Sequence, residues 1–265
     1  EIESGLHKMM LIGLGKHHGA SLYHKAIVHY SFDRIIRSVG QTLIDRCGVL
    51  MGLGILENQY DRTALIEAVP PEKFVEREKE LLILAKKWMP RLPFDQVDLL
   101  ILDEIGKNIS GSGMDTNVVG RKYHDHEAAE KEYPKVTRIY VRGLTEETHG
   151  NASGIGTAEY AHKKAIDAMD REMTYINCMT GNSPSGASIP LYYDSDAKCI
   201  ECALTTVGFV EPENAKVVRI INTLDLAEVQ VSEAYLPEVE KREDLTIVES
   251  AQDMTFDAQG DLPSF

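Results

Sequence analysis

Two residues near the start of the chain, Lys8 and His24, are of types that could hold a cofactor, and they lie sixteen residues apart. A lysine that is partly removed from water has a lowered pKa and can serve as a nucleophile or an attachment point. A neutral imidazole can ligate a metal ion. Taken singly, surface lysines and structural histidines are the commoner roles of these residue types. The pair therefore needs supporting context before it predicts a site.

A glycine-rich stretch between these two residues supplies part of that context and predicts a turn. Its glycines could allow backbone N–H groups to approach a phosphate. The spacing of Gly13, Gly15 and Gly19 is one residue too long for the dinucleotide-binding fingerprint, and the stretch does not match a P-loop. Gly13 and Gly15 are candidate cofactor-binding residues because of their position, since the pattern itself is not specific.

A second group of polar residues follows residues 97–106, a continuous apolar run that is typical of a buried parallel strand. In α/β sheets, ligands bind beyond the carboxyl ends of such strands. Two loops, 103–121 and 147–157, could supply polar groups there, although ordinary glycine-rich turns would explain both equally well. Asn151, Ser153 and Thr157 of the second loop could cap a helix or hold a carboxylate. The polar residues of the first loop are Asp103, Glu104, Lys107, Asn108, Asp115, Asn117 and Arg121.

Two further patterns have the residue types of a metal site. Cys199 and Cys202 form a single C-x-x-C, which on a helix would place both thiols on one face. A zinc site would need a second pair, so packing of two small residues against a core is the simpler interpretation. His124 and His126 lie in a charged stretch that we predict to be a solvated surface.

Apolar periodicity predicts the elements that must position these residues. One helix is expected from about residue 21 to 47, with Gly40 as the place where it could bend or divide, and 90–94 is the expected linker. The predicted strands are 48–56, 63–69, 97–106, 137–144, 217–223, 227–234 and 245–249. Further helices are predicted to end near residue 89 and to span 196–208, and a loop is predicted to open into a helix at 148–170. The last fifteen or so residues are predicted to form an irregular tail. Strands alternating with helices indicate an α/β fold. We expect two α/β domains, residues 1–95 and 96–265, with a cleft between them.

Composition narrows the classes of partner. The net charge of −14 disfavours nucleic acid and anionic membranes, which attract basic surfaces. No apolar run reaches the length of about 18 residues that a membrane span needs, and no signal peptide is evident. Four cysteines at irregular spacing fit a reducing compartment, so a cytoplasmic location is expected. Because Glu1 is not an initiator methionine, we expect the chain to be the later part of a longer protein whose first domain is incomplete here.

Three segments together resemble the lactate racemase family, and the resemblance extends over essentially the whole chain. These segments are ESGLHKMMLIGLGKHHGASLYH, GILENQYDRTALIEAVP and VDLLILDEIGKNISGSGMDTNVVGR. In that family a nickel pincer nucleotide is attached covalently to a lysine, and a histidine sixteen residues further on completes the nickel site. The resemblance therefore implies that Lys8 anchors the cofactor and that His24 ligates nickel.

The resemblance further implies a racemase or epimerase of 2-hydroxy acids, in which a base takes the hydroxyl proton while hydride leaves Cα and returns to either face. The family's catalytic histidines would precede Glu1, so this part alone is expected to be inactive. The family's tyrosine and lysine from the second domain are not retained near Val119 and Tyr123. Candidate replacements are Lys107, Asn117 and Arg121.

The implied partners are a small 2-hydroxy acid and the proteins that make and insert the cofactor. Two other functions stay open at this point. One is a hydro-lyase or redox enzyme on the same scaffold, which a metal at the cysteine pair or at His124 and His126 would favour. The other is a non-catalytic binding or assembly protein. The identity of the hydroxy acid and the oligomeric state are not readable from the residues.

Overall fold

The computed structural model describes residues 5–60 and 62–265, which form two compact units. The first unit comprises residues 5–90 together with 179–183, and the second comprises residues 91–178 together with 184–265. Among the described residues, no helix combines the length and the apolar character that crossing a membrane requires.

The first unit is mainly helical and carries one β-hairpin. Its elements are α1 (Leu6–Lys8), a π-helical segment (Met9–Gly13), α2 (Leu14–Ile27), α3 (Phe32–Cys47), β1 (Gly52–Glu57), β2 (Thr63–Val69) and α4 (Phe74–Trp88). β1 and β2 pair antiparallel, with Ile55 opposite Ile66. Apolar side chains from these elements form one core, whose buried members are Met10, Leu11, Ile36, Leu56, Val69, Phe74 and Leu81.

The single helix predicted from about residue 21 to 47 is wrong, because the chain forms two helices there. α3 begins after Ser31, whose Oγ accepts a hydrogen bond from the N–H of Arg34 at 3.3 Å. Such a cap satisfies an amide that the helix leaves free at its start. Gly40, where the sequence suggested a bend, lies inside α3 and is buried, and a Cβ there would meet His7 Cδ2 at 2.5 Å. This glycine therefore serves close packing.

The second unit is built on a six-stranded sheet. Its elements are β3 (Gln96–Leu102), β4 (Lys135–Val141), β5 (Tyr160–His162), α5 (Lys163–Asp167), α6 (Arg171–Thr180), β6 (Leu191–Tyr193), α7 (Asp196–Leu204), β7 (Val217–Ile220), β8 (Gln230–Val231) and α8 (Leu236–Val239). The strand order is β6-β5-β4-β3-β7-β8, and every pair is parallel except β7 with β8. The fold class is thus α/β, as the alternation of strands and helices predicted.

The strand order changes direction at β3. From β3 the chain adds β4, β5 and β6 on one side, and it then returns to place β7 on the other side. Both faces of β3 are covered, which explains its continuous apolar sequence. Leu100 and Leu102 belong to one core cluster, and Leu99 and Ile101 belong to the other.

Two predictions for the second unit need correction, and a third is confirmed. The strand expected at 245–249 is wrong, because that segment has no strand partner, and Ile247 and Val248 are exposed. The helix expected within 148–170 is only the short α5, since two short 3-10 turns and β5 precede it. The tail from residue 251 is irregular, as predicted, but it is not loose. Leu262 is buried, and its N–H donates to Asp196 Oδ2 at 2.7 Å.

Candidate functional site

Lys8 and His24 lie near one another in the first unit. Lys8 ends α1, and His24 lies in the last turn of α2. Burial lowers the pKa of Lys8. Burial also lowers the pKa of His24, and the ammonium of Lys8 lowers it further, so the two side chains are within electrostatic reach of each other. Both effects favour the neutral forms, which are the forms that react as a nucleophile and bind a metal ion.

Among the described residues, neither of these side chains has a partner that compensates for its burial. In that part of the chain, His24 Nδ1 is buried and forms no hydrogen bond. Within residues 5–60 and 62–265, Lys8 pairs with no carboxylate. Leaving a polar group buried and unpaired costs about 1–3 kcal/mol, so each such group calls for an explanation. Side chains without protein partners are available to bind a ligand, which is the role that the sequence predicts for this pair.

The glycine-rich turn predicted between these residues is wrong. Residues 9–27 are helical except at Lys16, and helical N–H groups donate within the helix instead of towards a phosphate. A Cβ on Gly13 would meet Met9 Sδ at 2.4 Å, whereas one on Gly15 would find ordinary van der Waals space. Cofactor binding by Gly13 and Gly15 stays a prediction, without the turn that motivated it.

A strained residue lies between Lys8 and His24 along the chain. Lys16 has φ 55° and ψ −160°, which interrupts α2 and is a conformation that side-chain-bearing residues rarely adopt. Strain of this kind costs about 1–3 kcal/mol and tends to occur at functional sites. The stretch from Lys8 to His24 therefore has two unfavourable features, the strained backbone at Lys16 and the two side chains without partners.

A buried histidine–glutamate pair, not anticipated from the sequence, holds the start of α1. The N–H of His7 donates to Glu78 Oε1 at 2.8 Å, and His7 Nδ1 lies 2.6 Å from Glu78 Oε2. The His7 ring also meets Phe74 edge-on, with ring centroids 5.8 Å apart. Because His7 precedes Lys8 directly, these contacts with α4 position the backbone that carries Lys8. The two partners are 71 residues apart, so no local pattern could have shown the pairing.

In the second unit, the two predicted polar loops meet at one place. Lys107 Nζ donates to Asn177 Oδ1 at 3.3 Å, and Ser153 Oγ lies 3.2 Å from the same oxygen. The N–H of Lys107 also donates to Thr148 Oγ1 at 3.0 Å. Lys107 follows β3 and Thr148 follows β4, so this cluster forms at the carboxyl ends of neighbouring parallel strands. Asn177 on α6 joins the loops and was missed in the sequence.

Asn117 and Arg121 do not belong to this cluster. The N–H and Nδ2 of Asn117 donate to Asp115 Oδ1 at 2.8 and 3.0 Å, which forms a local turn. Arg121 is buried and donates from Nη2 to Glu159 Oε1 at 3.2 Å, just ahead of β5 and thus at its amino end. Its Nε and Nη1 have no hydrogen-bond partner among the residues that the structure describes. Of the three candidates from this loop, only Lys107 lies at the carboxyl edge of the sheet with the second loop.

The second predicted loop forms turns instead of a helix cap. The N–H and Oγ of Ser153 donate to Asn151 Oδ1 at 3.1 and 2.7 Å. Thr157 lies in a 3-10 turn and caps no helix. The cap of α5 is His162, whose Nδ1 accepts from the N–H of Lys164 at 3.0 Å. Burial lowers the pKa of Lys107, and the nearby Cys178 opposes part of that shift.

On the opposite face of the sheet, buried arginines and carboxylates satisfy one another. We call Asp103, Arg142, Asp196 and Arg219 the arginine–carboxylate network. Arg142 Nη2 lies 2.6 Å from Asp196 Oδ2, and Arg142 Nη1 lies 2.9 Å from Asp103 Oδ1. Arg219 donates to both oxygens of Asp103, at 2.8 and 2.7 Å. Burial raises the pKa of Asp196, but hydrogen bonds from Arg142 and Tyr140 outweigh it, so its pKa lies below the ordinary value.

One group of possible metal ligands adjoins this network, and its geometry does not favour a metal. His162, Asp196 and Asp261 each place a ligand atom within 4.8 Å of the others. Both oxygens of Asp196 are already occupied, Oδ1 by the hydroxyl of Tyr140 and Oδ2 by Arg142 and a backbone N–H. His162 Nε2 lies 2.9 Å from Asp261 Oδ1. These groups satisfy each other without an ion.

The two cysteines pack in the core and the two histidines lie on the surface, which are the simpler of the interpretations given for these patterns. Cys199 is buried on α7, and burial raises the pKa of its thiol to about 11, which disfavours the thiolate that a metal or redox site needs. Cys202 packs against the same core cluster. His124 and His126 are exposed, as expected for a solvated surface.

Comparison with known proteins returned no family model, no characterised protein and no solved structure that matches this chain. Membership of the lactate racemase family therefore stays a prediction that rests on the quoted sequence segments.

Proposed function

We propose that the chain anchors the cofactor of a nickel-pincer-dependent racemase or epimerase of 2-hydroxy acids. The observation that carries this proposal is the proximity of two unsatisfied groups of the required types, Lys8 and His24. Lys8 has no carboxylate partner within the described residues, and His24 Nδ1 is buried without a hydrogen bond. When bound, the cofactor supplies an acceptor and donor of hydride for Cα of the substrate.

Lys8 would form the covalent attachment. An amine attacks only in its neutral form, and burial lowers the pKa of Lys8 and so raises the neutral fraction. The clamp between His7 and Glu78 holds the neighbouring backbone against α4 and limits the conformations that Lys8 can adopt. These contacts position the reactive amine without taking part in the attachment themselves.

His24 would supply one nitrogen ligand to nickel. The lowered pKa of His24 keeps the imidazole neutral near pH 7, which leaves a lone pair available to a metal. A ring nitrogen that is already free of hydrogen bonds loses no partner on ligation. Because the positive charge of Lys8 disappears on acylation, the attachment itself would remove one of the two causes of the lowered pKa of His24.

The test is covalent loading, measured without reference to activity. The chain would be co-expressed with cofactor-making enzymes, and its intact mass, the modified peptide and its nickel content would be determined. We expect a mass increase on Lys8 with near-stoichiometric nickel. Lys8→Ala should lose both, whereas Lys25→Ala, an exposed lysine on the same helical run, should retain both.

The role of His24 has its own control. His24→Ala should keep the mass increase on Lys8 but lose nickel, whereas His18→Ala, at an exposed position on α2, should keep nickel. An unmodified Lys8 and an absence of nickel, with lactate racemase loaded in parallel as a positive control, would contradict the proposal.

A further inference from the structure

Residues 257–265 lie near the carboxyl ends of two parallel strands of the second unit, β4 and β7. The side chain of Leu262 is buried there. The carbonyl of Leu262 accepts a hydrogen bond from Arg142, which follows β4, at 2.8 Å. The carbonyl of Pro263 accepts one from Arg219 of β7 at 2.7 Å. We propose that this segment, the strap, opens and closes as a unit and so controls access from solution to Arg142 and Arg219.

The carboxylate of Asp261 forms several of the other contacts that hold the strap. Asp261 Oδ1 lies 2.9 Å from His162 Nε2 and accepts a hydrogen bond from the N–H of Asp196 at 3.1 Å. Asp261 Oδ2 lies 3.8 Å from Lys164 Nζ. Asp196 Oδ2 in turn accepts from the N–H of Leu262 at 2.7 Å. Closure thus depends largely on polar contacts, and water can replace such contacts when the strap opens.

The stretch of chain that leads into the strap is weakly held. All residues from 246 to 256 are exposed. Among the described residues, no backbone hydrogen bond involves this stretch. Segments with few buried contacts and a solvated backbone open at a lower free energy than the core does. The strap can therefore leave the sheet while the strands beneath it stay folded.

The first half of the strap is a turn that is held by its own hydrogen bonds. Asp257 Oδ1 accepts from the N–H groups of Gln259 and Asp261, each at 2.9 Å. The N–H of Asp257 donates to the carbonyl of Asp261 at 2.9 Å, and the N–H of Gly260 donates to the carbonyl of Asp257 at 3.0 Å. Aspartate stabilises such turns locally. Because these bonds do not involve the sheet, the turn can keep its shape when the strap opens.

The arginines beneath the strap keep their carboxylate partners when it opens. Arg142 remains paired with Asp103 at 2.9 Å and with Asp196 at 2.6 Å. Arg219 remains paired with Asp103 at 2.7 Å. Opening therefore breaks no ion pair of the arginine–carboxylate network, and the buried charges stay compensated. It does free the guanidinium N–H groups that bonded to the strap carbonyls, and such donors match the acceptor oxygens of an anion.

Hydrogen exchange of the whole 265-residue chain in increasing urea tests whether the strap opens by itself. Relative to intrinsic rates, we expect the Leu262 amide to exchange at least about 10-fold faster than the β3 amides, with little dependence on urea. The β3 amides should exchange faster as urea rises, because they need unfolding of the whole unit. Asp261→Asn should speed exchange of the Leu262 amide about 5-fold, since the charged acceptor is lost. Asp253→Asn, at an exposed position before the strap, should have no effect.

Access to the arginines is measured separately with phenylglyoxal, a reagent for guanidinium groups, followed by peptide mass mapping. Asp261→Asn should speed modification of Arg142 and Arg219 by the same factor of about 5, because the reagent reaches them only when the strap is open. The exposed Arg46 of α3 should react equally in wild type and variant, and so serves as the internal reference.

The outcomes separate a strap that opens from a segment that belongs to the core. Equal protection and equal urea dependence of the Leu262 and β3 amides would overturn the proposal. Unchanged modification of both arginines in Asp261→Asn would overturn the control of access. Leu262→Ala removes the buried side chain and keeps Asp261, so it should raise both rates more than about 10-fold and provides an independent variant. Neither measurement needs nickel or a modified Lys8, so the result does not depend on the function proposed above.

Discussion

The arginine–carboxylate network of the second unit and the Lys8–His24 pair of the first unit differ in whether their buried polar groups have partners. In the network, Arg142 and Arg219 share the oxygens of Asp103 and Asp196 at 2.6–2.9 Å. In the pair, a buried imidazole nitrogen has no partner and the lysine beside it has no counter-ion within the described residues. Internal pairing stabilises a fold, whereas unpaired groups cost stability and are available to a ligand.

Removing one member of the network should have the largest effect on stability. Arg142→Met leaves Asp196 and Asp103 without their shared guanidinium, and breaking a buried pair in this way costs about 3–5 kcal/mol. Hydrogen exchange of the β3 and β4 amides in urea would measure the loss. Arg138→Met, on β4 just before Arg142, removes hydrogen bonds to Thr206 and Thr137 but no ion pair, so it should cost no more than about 1 kcal/mol. Similar losses of stability in both variants would show that the ion pairs of the network contribute no more than ordinary hydrogen bonds.

Acid should weaken the second unit. Burial raises the pKa of Asp261, but its hydrogen bond with His162 outweighs burial, so the pKa of Asp261, like that of Asp196, is lower folded than unfolded. Stability from a lowered carboxylate pKa is present above the unfolded value of 3.8 and is lost as pH falls through the folded value. Urea midpoints of the second unit between pH 6 and pH 2.5 would show the decline. Asp261→Asn should cost about 1 kcal/mol at pH 6 and make the decline shallower. An equally steep decline in that variant would contradict the assignment.

Removing Lys8 or Lys107, which have no carboxylate partner among the described residues, should have the smallest effect on stability, and the effect should have the opposite sign. Lys8→Met and Lys107→Met should each raise the free energy of unfolding at pH 7 by about 0.5–1 kcal/mol, because a poorly solvated charge is replaced by an apolar side chain. Because the pKa of each lysine is lower in the folded chain, the unfolded chain binds more protons than the folded chain at alkaline pH. The stability of the wild type should therefore rise towards pH 10, and that of each variant should rise less. Trp88 fluorescence in urea would report the first unit, and amide exchange would report the second. A loss of stability in either variant would show that the lysine has a structural role instead.

The sequence predicted the strongly patterned elements well and the short ones poorly. The apolar run of β3, the hairpin of β1 and β2, and α4 all appear where expected, although β3 ends at Leu102 instead of 106 and β1 begins at Gly52 instead of 48. β5 and β6 were missed because each has three residues, too few to show a period. The false strand at 245–249 has apolar residues of the right type but no neighbouring strand to pair with. Periodicity measures burial along one segment, whereas strand pairing depends on distant parts of the chain.

The residues of the candidate site also divide into those that the sequence indicates and those that only distant contacts reveal. The residue types and the spacing of Lys8 and His24 are properties of the sequence, and so is the position of Lys107 after an apolar run. The contacts of Asn177, Glu78 and the tail could not be anticipated, because the partners lie far apart along the chain. Arg142, for example, donates to the carbonyl of Leu262, 120 residues away.

By itself, the sequence determined the α/β class, the buried character of β3 and the set of residues with chemistry to offer. Only the tertiary structure decided which of those residues satisfy one another and which remain unpaired. The physical reason is that the free energy of a buried charge depends on the atoms within a few ångströms of it, and those atoms come from remote segments. Arg142 and Lys107 are both cations beside strands of the same sheet, yet one is saturated by carboxylates and the other has only neutral oxygens.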